Sequence, residues 1–127
     1  MDNVQRGCEL FANGKPFEAH EEWETRWNEL RQGIDPVGAA ELHAAILLCG
    51  VRVLLDKKRI RGAIALLKRT LELRDAWFTG CVLVWDKPEA LVADLGLWLE
   101  KLEGASTESD PVSACAALGT FGVKAAR

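Results

Sequence analysis

Between Val37 and Leu55 the chain carries only two charged residues, Glu41 and Arg52. A helix of that composition has to be covered on most of its sides, so the rest of the chain must supply helices that wrap it. At about 100° of turn per residue with Leu42 set at zero, Glu41 and Arg52 fall together near 260–280° and His43 falls near 100°, between Gly50 and Leu54. This spacing predicts a charged outer stripe through Glu41 and Arg52 and a deeply buried histidine facing away from it.

The flanking segments read as the wrapping helices. Asp2 or Asn3 can cap a helix over residues 2–12, and Asn13-Gly14 ends it. Pro16 suits the first turn of a second helix that runs to about Gln32. Asp35-Pro36 opens the third, over 37–56. A fourth is expected over 60–78, with Ile60, Ile64, Leu67 and Leu71 on one stripe. Asp86-Lys87-Pro88 opens a fifth, over 88–102, with Leu91, Leu95, Trp98 and Leu102 inward. Cys81-Val82-Leu83-Val84-Trp85 is read as a packed connection, because a lone strand finds no partner in the sequence. Gly104 to Pro111 has linker composition, and 112–127 is expected to be a weak last helix or a disordered tail. The expected class is all-α, a compact multihelical bundle of about five helices over 1–103 followed by a tail over 104–127.

With 127 residues, 49% apolar and 28% charged, the chain suits one globular domain. Its net charge of −3 gives no general attraction to nucleic acid, and none is expected as a partner. Lys57-Lys58-Arg59-Ile60-Arg61 is the local exception and reads as a solvated connection between helices. Cys8, Cys49, Cys81 and Cys115 form no C-x-x-C pair, which argues against a cysteine zinc site and favours a reducing, cytoplasmic setting. The start of the chain shows no basic and apolar leader pattern, and the longest apolar run, Ala44 to Val51, is short for a bilayer, so no membrane partner is expected.

The candidate chemistry lies on the second helix. With Phe17 at zero, Trp27, His20 and Glu24 fall near 280°, 300° and 340°, while Trp23, Leu30 and Ala19 fall at about 240°, 220° and 200°. His20 and Glu24 thus lie within the apolar arc, with Glu21 at its edge. Sequential helices are usually neighbours, so His20 and His43 are placed to meet. Three uses of such a centre stay open. His20, Glu24 and His43 are candidate ligands of a divalent metal, Zn, Fe, Mn or Ni. His20, Glu21 and Glu24 are candidate catalytic groups for acid/base chemistry. The same groups also suit a structural hydrogen-bond network. His20-Glu21-x-x-Glu24 lacks the second histidine of a zinc-protease helix, and neither a di-iron spacing nor a phosphate-loop motif is present. Phe17, His20, Glu24, Trp27 and His43 form the candidate binding set, with Trp27 as a pocket wall.

One block of this helix is specific. Phe11-x-x-Gly14-x-x-Phe17-Glu18-Ala19-His20-Glu21-x-x-Glu24-x-x-Trp27 resembles the signature of an uncharacterised prokaryotic helical family, domain of unknown function family 309. The apolar helix Leu42 to Leu55 and Gly62-Ala63 with Leu66, Leu67 and Leu71 are weaker parallels, and the resemblance covers roughly residues 8–78. Family members often carry Gly-Leu-Ile-Gln in the apolar helix, where this chain has Ala44-Ala45-Ile46-Leu47. The resemblance implies a small multihelical fold and no established activity. The leading expectation is a non-enzymatic helical module that binds a partner or a small molecule. The alternative is a metal- or His/Glu-dependent enzyme, of hydrolase or lyase type, acting on a small substrate. Surplus apolar surface on the fifth helix and near Trp85 suggests a homodimer.

Overall fold

A computed structural model describes residues 2–33, 35–104 and 122–126. It is all-α apart from one small ribbon. The described helices are α1 (Asn3–Ala12), α2 (Pro16–Leu30), α3 (Pro36–Asp56), α4 (Ile60–Glu72) and α5 (Pro88–Glu103). A 3-10 helix (Arg74–Phe78) follows α4, and strands β1 (Leu83–Trp85) and β2 (Val123–Ala125) pair antiparallel with Val84 opposite Lys124.

Local chemistry sets the helix starts and stops. The Asp2 side chain accepts from the Gln5 N–H at 2.8 Å, and Asp35 accepts from the Gly38 N–H at 2.9 Å. Pro16, Pro36 and Pro88 open α2, α3 and α5, where a missing N–H costs nothing. Gly14, at φ +72°, makes the left-handed turn between α1 and α2.

α3 is the central element. α2 and α4 pack on either side of it, α1 packs on α2, and α5 packs on α4. Leu42, Leu48, Cys49, Val51 and Leu55 of α3 are buried. With 21 residues and a mean hydropathy of 1.7 over its most apolar 18, α3 is long and apolar enough to cross a membrane, which exceeds the sequence-based estimate. The other helices bury half of its most apolar window, as the core helix of a bundle requires. Trp23 is fully buried beneath α1, where its indole N–H donates to the Val4 carbonyl at 3.1 Å. Gly7 makes that docking feasible, since an added Cβ would lie 2.2 Å from Trp23 Nε1.

Two expectations are corrected here. The fourth helix stops at Glu72, and Arg74–Phe78 tightens into the 3-10 turn that brings Trp77 into the core. The run at 81–85 is not a mere connection. Its strand finds a partner in Val123–Ala125, so the far end of the tail returns to the bundle. The alternation in so short a segment is invisible without its partner. Trp85 itself is buried, edge-on to Phe11 and Trp77, whereas Phe78 and, on α5, Leu97 are exposed. The expected linker and last helix over 105–121 lie outside the described residues.

Candidate functional site

α2 places Phe17, His20, Glu24, Trp27 and Arg31 at alternating spacings of three and four, so their side chains share one stripe. The stripe is a rim. The buried face of α2 consists of Ala19, Trp23 and Leu30, centred on about 220° of the helical wheel. Phe17 is 51% exposed, and the side chains of His20 and Glu24 are 30% and 44% exposed. The sequence reading set these groups deep because it counted Phe17 as inward. Once that ring points outward, the whole line moves to the edge.

Within the stripe, His20 Nε2 lies 2.8 Å from Glu24 Oε2, one turn along. The Phe17 ring tilts against the imidazole at 5.7 Å between centroids. His20 Nδ1 is shut away from solvent and has no hydrogen-bond partner. One nitrogen is thus held by a carboxylate and the other is enclosed. Glu21 is exposed, and its carbonyl accepts from the Thr25 hydroxyl at 3.2 Å.

His43 is half-buried, not deep. It stacks on Trp27, with centroids 5.0 Å apart and an interplanar angle of 26°. The Arg31 guanidinium lies over the same indole, 4.7 Å from its centroid. The two histidines thus rest on different aromatic rings, and Trp27 serves His43, not His20. Among the described residues, no group of three or more His, Cys, Asp or Glu side chains is placed to hold a metal ion, so the proposed ligand set of His20, Glu24 and His43 does not assemble.

Burial and, secondarily, the positive charge of Arg69 push the His43 pKa below its ordinary 6.5. The folded chain therefore favours neutral His43. Its contribution is complete above the unfolded value near 6.5 and is lost as pH falls through the folded value. NMR titration should place the His43 midpoint below 6.5, and Arg69→Gln should move it upward. A midpoint at or above 6.5 in the parent chain refutes this environment.

Burial pushes the Cys8 thiol up to about 12 and raises that of Cys49 further, so neither supplies a thiolate near neutral pH.

The buried carboxylate is one that the sequence reading placed on the surface. Glu41 is only 1% exposed. Its carboxylate accepts from the backbone N–H groups of Cys81, Val82 and Leu83, at 2.6, 2.5 and 3.1 Å, and from the Thr79 hydroxyl. The face near 260° of α3 is where the 3-10 turn and β1 dock, while Arg52, three turns on, pairs with Asp56 at 3.0 Å. One signal was available: Glu41 is the only acid between Val37 and Leu55. Arg31 and Arg69, which complete the surroundings of Trp27 and His43, carried no sequence signal.

No curated protein and no solved structure matches the chain. A family model described as Domain of unknown function (DUF309) matches residues 4–66, from the first turn of α1 to the middle of α4. That span contains the aromatic rim of α2, His43 and Glu41, and over it the chain matches the DUF309 family.

Proposed function

We propose that the chain is a non-enzymatic helical binding module whose contact face is the rim of α2 with the adjoining side of α3. The observation that carries this reading is a second stripe. Ala40, His43, Leu47, Gly50 and Leu54 of α3, again three and four apart, are all half-buried, with Gly50 and Leu54 already met by Leu66 and Gly62 of α4. Apolar positions at this spacing form the seam that helices use to pack on one another. The seam runs beside exposed Phe17 and the Arg31–Trp27–His43 stack, and tryptophan and arginine are the residue types that dominate binding energy at interfaces.

The first occupant to test is a second copy, because a symmetric pair sets each half-covered seam against its equal. Sedimentation velocity at tens of micromolar should show a dimer for the parent chain and a monomer for Leu47→Glu. Trp27→Ala should weaken the dimer by about 2 kcal/mol, the threshold of an interface hot spot. A parent chain that stays monomeric at all accessible concentrations sinks self-association through this face. His20→Ala should leave the dimer intact, since its imidazole is engaged within its own helix.

A further inference from the structure

We propose that one end of the bundle is a docking patch for an anionic membrane surface. The turn between α1 and α2 and the turn between α3 and α4 lie together at this end. Lys15, Phe17, Val53, Asp56 and Lys57 line one shallow cavity of about 280 Å³ there. Lys58, Arg59 and Arg61 continue the same turn into α4. All five cations are exposed, and none forms an ion pair among the described residues. Of the two acids at the patch, Asp56 is engaged with Arg52, and Glu18 is exposed at the edge of the cavity. A chain with a net charge of −3 therefore concentrates unpaired positive charge at one end.

Phe17 makes the patch more than a charge cluster. Its half-exposed ring stands beside Lys15 and Lys57. An aromatic ring entering the interfacial layer while neighbouring cations meet lipid headgroups is the pattern of peripheral membrane attachment. Duplex nucleic acid is the weaker match, because it is held through many phosphate contacts spread along a groove, and the acidic remainder of the chain opposes it.

The backbone at the tip adds an independent mark. Lys58 has φ +58°, a left-handed conformation that glycine adopts freely and lysine does not. A helix end that would be cheaper with glycine instead holds a cation, and backbone cost retained at one spot points to use.

Vesicle co-sedimentation of the full chain tests the proposal. Vesicles of phosphatidylcholine with about one-third phosphatidylserine should bind the protein at low salt, phosphatidylcholine alone should not, and about 0.5 M salt should release it. Lys57→Gln with Lys58→Gln should weaken binding by at least about tenfold, from roughly fivefold per cation. Lys58→Gly should weaken binding about fivefold while raising the melting temperature, so the loss cannot be assigned to unfolding. Arg74→Gln, which removes an exposed cation beyond the far end of α4, should leave vesicle binding unchanged, which ties the loss to this patch and not to overall charge. Equal binding to both vesicle types, or no effect of the double variant, overturns the proposal. So does a short DNA duplex that displaces the protein from vesicles at equal phosphate concentration.

Discussion

Glu41→Ala is expected to destabilise the fold by about 3–5 kcal/mol, a large share of the 5–15 kcal/mol typical of a domain. The substitution removes the common acceptor of three backbone N–H groups and one hydroxyl at a fully enclosed position. Hydrogen bonds to a charged group contribute about 1.5–3 kcal/mol each, and donors left facing apolar surroundings add their own penalty. The Cys81 and Val82 bonds are only partly buried, which keeps the total below a simple sum. Glu41→Gln retains one carbonyl oxygen but sets an NH2 group against backbone donors, and about 2–3 kcal/mol should be lost. Urea unfolding measures both. An unfolding free energy for Glu41→Ala within about 1 kcal/mol of the parent would show that water replaces the carboxylate without cost.

Gly7→Ala is the second large effect, expected at about 3 kcal/mol. The new methyl would stand 2.2 Å from Trp23 Nε1 and 2.4 Å from Cδ1. The indole has no room to yield, because it is fully buried and tied to the Val4 carbonyl. The cost is thus overpacking plus a lost hydrogen bond, and α1 should detach before the remaining helices melt. Near-ultraviolet dichroism should report loosening of Trp23 at temperatures where helix content is still high. Gly96→Ala is the matched control. A methyl there meets nothing within 4 Å, and an α5 interior position should gain up to about 1 kcal/mol. Equal destabilisation by both substitutions would disprove the steric origin.

The helices were legible because their signals are local. Proline at three first turns, aspartate caps before α1 and α3, and glycine after α1 each act within one helical turn. The inward set of α5, Leu91, Leu95, Trp98 and Leu102, follows from periodicity alone and is the set found buried. The site was harder, since periodicity gives the relative angles of residues but not the zero of the wheel. For α2, treating Phe17 as inward turned a rim into a core. For α3, the stripe of Glu41 and Arg52 was correctly grouped but assigned to solvent, because what covers it comes from residues 79–83, some forty positions on. The ribbon was missed for a related reason. Strands of three residues carry no pattern until they meet, and these two are separated by all of α5.

The span matched by the family model stops at residue 66, whereas the donors to Glu41 begin at Thr79. A fragment cut at that border would keep an ionisable group inside its central rod and discard every hydrogen that neutralises its lone pairs. The matched span and the thermodynamic unit therefore have different edges. A minimal expressible piece has to run at least through Leu83, the last of the described residues to donate a hydrogen bond to that carboxylate.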